Sequence, residues 1–155
     1  EIQIIGDGTV KSKFEEEAKL ERLNNIQFYP LQPVELVPDV YSACDICVIP
    51  LKRGVIWGGV PSKAPILMAC RRVIVNSVEK ESEYAKMFVE NDMGVSVDIT
   101  DYDALATAVK MLYDSPETVN RMAENAYRFV RENYSSTKSI SKLLEIFHRA
   151  VESKK

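Results

Sequence analysis

Short apolar runs alternate along this chain with longer amphipathic stretches. The runs are Ile2-Gln3-Ile4-Ile5, then residues 26–29, 45–50, 73–77 and 94–98. Each has strand length and β-branched content, and the stretches between them carry apolar residues at helical spacing. The pattern predicts helices over residues 10 to about 23, 34–43, 61–70 and 82–91, with another from about 101 to Tyr113. Ser82 is a natural N-cap, and Thr100-Asp101-Tyr102-Asp103 resembles a capping box. The tail reads differently. Ser115 caps a helix whose first position is Pro116, with Val119, Met122, Ala126, Phe129 and Val130 on one stripe. A further helix begins near Ser136, with Ile140, Leu143, Leu144, Phe147 and Val151 on one face. Neither is followed by a strand, so both are expected to pack on the sheet's flank or reach a neighbouring domain.

Continuous apolar strands separated by helices imply a parallel sheet covered on both faces. Right-handed crossovers then give a doubly wound α/β fold. The length of 155 residues fits one domain, with a sheet region over about 1–114 and helices over about 116–152. Glu1 enters a strand at once, without turn or cap, which reads as a domain cut from a longer chain. In such a sheet, ligands sit beyond the carboxyl ends of the strands. Gly6-Asp7-Gly8 and residues 31–33, 51–63 and 77–83 all follow strands, so they are expected to share one edge.

The segment Trp57-Gly58-Gly59-Val60-Pro61-Ser62-Lys63 carries the clearest chemistry. It leads by a glycine loop into a helix whose first N–H groups lie at the positive end of the helix dipole. Such a terminus suits a phosphate. Gly58 and Gly59 allow close backbone approach, Pro61 has no N–H to lose, and Lys63 adds a mobile cation. A phosphorylated or nucleotide-linked ligand is the expectation, and a helix start that binds nothing is the alternative. A net charge of −3 gives no general attraction to nucleic acid or anionic lipid. No apolar run approaches the ~20 residues of a membrane span. Cys44, Cys47 and Cys70 lack a second metal half-site, so Cys44-Asp45-Ile46-Cys47 reads as core. No metal site is expected, and a cytoplasmic compartment is. His148, on a late helix, is placed away from the chemistry. Arg71-Arg72 reads as a solvated turn, and Trp57 as loop packing.

Taken together, these residues resemble the C-terminal half of a GT-B glycosyltransferase of the large retaining group called family 4, over about residues 2–113. Gly6-Asp7-Gly8 is similar to that family's G-x-G turn, and residues 25–33 to its "N-V-x-F-x-P-L-Q-P" segment. Residues 41–50 resemble its "A-D-x-x-x-x-P" strand. Val60-Pro61-Ser62-Lys63 through Met68-Ala69 resembles the "M-P-S-K-x-x-x-x-L-A" element of the branch that makes exopolysaccharides, capsules and colanic acid. The resemblance implies a Rossmann-like donor-binding domain facing an acceptor domain that should precede Glu1, together with this domain's own first strand.

The implied donor is a nucleotide-diphosphate sugar, with no further cofactor. Its diphosphate would meet Gly58, Gly59, Val60, Pro61, Ser62 and Lys63, and Leu31 and Pro33 would lie near its base. Glu81 and Glu83 would border the sugar or ribose, and Gly6 and Gly8 would line the cleft. The family's paired glutamates fall at Gly58 and Ile66, so neither carboxylate is present. Arg71 stands where the family has glycine, so the turn there is expected to differ or be strained. The implied reaction is sugar transfer to a glycan or lipid-linked acceptor, with this chain alone inactive. No catalytic residue is assigned, and any membrane association would come through the preceding domain. Three alternatives remain: another GT-B enzyme such as a nucleotide-sugar epimerase, a non-catalytic regulatory or interaction module, or a degenerate transferase, marked by Ile66 and Arg71, kept as a partner subunit. A receiver would need an acidic pocket, which Asp7 and Asp45 do not form convincingly.

Overall fold

The computed structural model describes residues 1–56 and 59–152. It is an α/β protein with two parallel sheets. The chain divides into two compact units, Glu1–Val40 and Tyr41–Lys155. The first unit holds β1 (Ile2–Ile5), α1 (Lys11–Leu20), β2 (Ile26–Tyr29) and α2 (Val37–Ser42), the last entered through a 3₁₀ turn at Val34–Leu36 and ending in the second unit. β1 and β2 pair in parallel, with Ile2 opposite Ile26 and Ile5 opposite Tyr29.

The second unit holds β3 (Ile46–Pro50), α3 (Lys63–Ala69), β4 (Val73–Ser77), α4 (Glu83–Glu90) and β5 (Gly94–Val97). Three helices follow: α5 (Tyr102–Tyr113), α6 (Pro116–Asn133) and α7 (Ser136–Glu152). The sheet order is β3-β4-β5, all parallel. All five residues of β4 are buried, as its unbroken Val-Ile-Val run predicts for a central strand. One face of the sheet presents Ile49 and Ile74 to α3, α4 and α6, with Leu67, Met68, Phe88 and Ala126 at the centre. The other presents Val73, Val75 and Val97 to α5, through Ala108 and Leu112. The sheet is thus covered on both faces, as expected. The hydrogen-bonded ladders differ from the expected single sheet: β1 and β2 pair only with each other, and β3, β4 and β5 form the other ladder.

Helix starts follow local chemistry. Ser82 Oγ accepts the Ala85 N–H at 3.2 Å, and Asp101 Oδ1 accepts that of Ala104 at 2.8 Å. Ser115 occupies its expected cap position, but its hydroxyl bonds Thr118 Oγ1 instead of a backbone N–H.

Helix ends depart from what composition predicts. α1, α3 and α4 each end in a residue with positive φ: Arg22 (54°), Arg71 (52°) and Asp92 (48°). In each, the next N–H reaches back five residues: Leu23 to Ala18, Arg72 to Leu67, and Met93 to Phe88. These are Schellman closures, whose left-handed position is usually glycine. That geometry stops α1 at Leu20, short of the expected residue 23. It also confirms the strain expected at Arg71. Of the two tail helices, α6 packs on the sheet as expected. α7 leaves Ile140, Leu143, Leu144, Phe147 and Val151 exposed.

Candidate functional site

The sequence-predicted residues fall into two groups, one in each unit. In the first unit, Gly6 adopts φ +150°, a conformation closed to most side chains. The turn after β1 therefore needs glycine for its own geometry, whereas an added Cβ at Gly8 would meet nothing within 4 Å. Asp7, between them, joins this turn to the segment after β2. Its Oδ2 accepts the Leu31 N–H at 2.8 Å, and its Oδ1 accepts from Lys11 Nζ at 3.1 Å. Lys11 Nζ also donates to the Tyr29 carbonyl at 3.0 Å. The Leu31 N–H, followed by Lys11, holds the Asp7 carboxyl below its ordinary value. Gly6, Gly8 and Leu31 are thus brought together by a residue that the sequence reading did not place in the site. Leu31 and Pro33 are exposed apolar surface, Leu31 at 70%.

In the second unit, the chain leaves β3 into a loop and enters α3. Trp57 and Gly58 lie outside the described residues. At Gly59 an added Cβ would meet nothing within 4 Å, and φ is not left-handed. The described fold imposes no requirement for glycine there, which leaves room for close approach by a ligand. Val60 packs against the core, and the Pro61 carbonyl accepts the Ala64 N–H at 2.9 Å. Ser62 stands at the helix start but its side chain makes no capping bond. The helix begins at Lys63, two residues later than expected. Lys63 is exposed and pairs with no carboxylate among the described residues. The first turn of α3 therefore offers an unpaired ammonium beside an uncapped helix start. Ile66 is 46% exposed and contributes no polar side-chain atom.

The loop after β4 carries the other acidic residues. Glu81 is exposed. Glu83 Oε1 accepts from Lys86 Nζ at 2.7 Å, a contact that raises the Lys86 ammonium above its ordinary value. Arg71 and Arg72 lie in the turn that ends α3, Arg71 exposed and Arg72 half-buried, and both make specific contacts. Arg71 Nε donates to Glu124 Oε2 at 3.0 Å, and its guanidinium lies 3.8 Å from the Tyr127 ring centre. Arg72 donates to the Cys70 and Cys44 carbonyls, each at 2.8 Å. Both are structural ties, satisfying carbonyls and docking α6.

Cys44, Cys47 and Cys70 form no disulfide. Burial, and then neighbouring Cys44, pushes the Cys47 thiol up to about 12. A thiol so raised is a poor nucleophile and a poor metal ligand, in keeping with the core reading. No group of three or more candidate metal ligands occurs among the described residues. His148 is exposed on α7. Asp7 is engaged by Leu31 and Lys11, and Asp45 lies just before β3, so neither supplies an acidic pocket.

Comparison with known proteins converges on one family. The family model described as "Glycosyl transferases group 1" matches residues 1–129. The probable glycosyltransferase WbjE of Pseudomonas aeruginosa is 25% identical over 89% of this chain and 34% of its own length. The putative colanic acid biosynthesis glycosyl transferase WcaI of Escherichia coli is 30% identical over 61% of this chain and 23% of its own. Among solved structures, sucrose-phosphate synthase of Thermosynechococcus elongatus superposes with a TM-score of 0.77 at 17% identity, covering 99% of this chain and 39% of that one. HepE of Anabaena, solved in complex with UDP, gives 0.76 at 15% identity, over 95% of this chain and 40% of that one. These two establish the shared fold. The chain spans at most about a third of the length of the curated relatives it matches.

Proposed function

The chain belongs to the group 1 glycosyltransferase family, and from that premise we propose that it is the donor-binding part of a retaining transferase. The donor is a nucleotide-diphosphate sugar, and the acceptor a glycan or lipid-linked glycan of a bacterial surface polysaccharide. The observation that carries this reading is the start of α3. Gly59 is open to close approach, Ser62 is uncapped, and Lys63 has no acidic partner among the described residues. Backbone N–H groups and an ammonium there would stabilise the diphosphate as it leaves. Leu31 and Pro33 would take the base, and Glu81 and Glu83 would border the ribose or sugar. Metal has no assigned role in this scheme.

The acceptor site belongs to a preceding domain of the same polypeptide, in the cytoplasm. Two things support that division: the fraction of each relative that this chain spans, and the fold it shares with HepE, a protein solved with UDP and with UDP-glucose. The chain alone then binds donor and turns nothing over.

Calorimetric titration with UDP, GDP and UDP-glucose tests the reading. The expected result is saturable binding of one nucleotide series, weakened by Lys63→Ala. Absence of binding to all three at millimolar concentration would defeat it, and sugar transfer by the isolated chain would defeat the division of labour.

A further inference from the structure

The loop between β3 and α3 is fixed at its near end by one side chain from the next loop. Val55 N–H donates to the Lys52 carbonyl at 3.2 Å, closing a tight turn. Gly54 supplies that turn's positive φ of 78°. The Gly54 N–H donates to Glu79 Oε1 at 3.0 Å in a partly buried contact. Glu79 itself is held in place from the other side. Its carbonyl accepts the Ser82 hydroxyl at 2.6 Å and the Ser82 N–H at 3.0 Å, and Ser82 caps α4. A second contact reaches the same turn, from Arg53 to Asp98 Oδ1 at 3.7 Å. The turn of residues 52–55 is thereby tied to the chain just after β4 and just after β5. Leu51, Ile56 and Val60 pack against the core on either side of it.

We infer that Glu79 is a positioning residue for donor binding, joining the two loops that meet adjoining parts of the donor. This rests on the proposed function above, which assigns the diphosphate to residues 59–63 and the sugar or ribose to Glu81 and Glu83. Glu79 touches neither the phosphates nor the sugar in this scheme. Its carboxylate holds the 52–55 turn against the 79–82 turn, so that both loops are set before the nucleotide arrives. A charged acceptor on a backbone N–H is among the stronger hydrogen bonds. Preorganising a loop raises affinity by removing its ordering cost from binding.

The test compares Glu79→Ala with Glu79→Gln in this chain, with UDP as the probe. Glutamine keeps an acceptor oxygen for the Gly54 N–H, and alanine does not. Binding is read by calorimetry, global stability by urea unfolding, and the loop itself by the Gly54 amide resonance and its hydrogen exchange without nucleotide. The expected result is that Glu79→Ala weakens UDP binding by about tenfold and exposes the Gly54 amide, whereas Glu79→Gln stays within about threefold of wild type. The urea midpoint of Glu79→Ala should move far less than its affinity does. Equal UDP affinity in wild type and Glu79→Ala would overturn the positioning role while leaving the donor reading intact. If wild type binds no nucleotide, the donor reading fails and the positioning role falls with it.

Discussion

Replacing Arg71 by glycine should not stabilise this protein at low salt, although Arg71 sits where helices favour glycine. An L-residue held at φ +52° pays about 1–2 kcal/mol that glycine does not. Glycine returns about 0.5–1 kcal/mol of that through its freer unfolded chain, so relief alone would give about 0.5–1 kcal/mol. Two contacts to α6 are lost in exchange. The ion pair with Glu124 at 3.0 Å is about half exposed on both sides, which discounts it to about 0–1 kcal/mol. The guanidinium 3.8 Å from the Tyr127 ring centre adds about 0.5–1 kcal/mol. Mid-range values give a net loss of about 0.5 kcal/mol for Arg71→Gly, within a span from a gain of about 0.5 to a loss of about 1.5 kcal/mol.

Urea unfolding followed by circular dichroism reads this directly, because urea leaves the ion pair unscreened. One kcal/mol corresponds to a midpoint shift of roughly 0.5 M for a typical slope of ~2 kcal/mol per molar. Repeating the measurement in 1 M NaCl should move Arg71→Gly upward relative to wild type, because screening has already removed much of the pair. A Glu124→Gln background should do the same without salt. If Arg71→Gly gains about 1 kcal/mol at low salt, with no response to salt or to Glu124→Gln, then α6 does not offset the strained turn and the reasoning is refuted.

Three further outcomes are expected. Gly94→Ala would put a Cβ 2.2 Å from the Ile74 carbonyl oxygen at φ +157°, a clash with backbone that should cost more than about 4 kcal/mol and abolish cooperative unfolding; a normal transition would contradict it. Tyr84→Phe removes the 2.6 Å hydrogen bond to buried Asn76 and should cost about 1–3 kcal/mol by leaving the amide oxygen unpaired, read as a urea midpoint shift against wild type. The Asp7 carboxyl lies below its ordinary 3.8 when folded. Its contribution is therefore complete above the unfolded value and is lost as pH falls through the folded one. An acid titration of the Leu31 amide shift should show a midpoint below 3.8 that vanishes in Asp7→Asn.

The element order was legible because the chain states it through period and run length. All five strands lie where the apolar runs put them, and Ser82 caps as expected, whereas the cap of α5 falls on Asp101 and the Thr100 hydroxyl bonds Asp98 instead of forming a capping box. Other features depend on contacts distant in sequence. Nothing near Arg22 or Asp92 signals a left-handed helix end, because the usual signal is glycine. Asp92 instead takes up Arg121 and Asn125 from α6. Arg71 was legible only as a departure from a family glycine, and its partners Glu124 and Tyr127 lie more than fifty residues away. The contacts made by Asp7 and Glu79 were not legible for a related reason. Each is one acidic residue among several, distinguished only by the backbone N–H that folding brings to it, Leu31 for one and Gly54 for the other. Separate ladders for β1–β2 and β3–β5 could not be read from a pattern that specifies strands but not their partners.

The most direct test of the central claim is an amide chemical-shift map of this chain titrated with UDP, and with GDP for comparison. The account expects one nucleotide to perturb the amides of Gly59, Ser62 and Lys63 together with Leu31, saturating along a single curve. Saturable shifts confined to other surfaces, or none at millimolar nucleotide, would contradict a donor site at the start of α3.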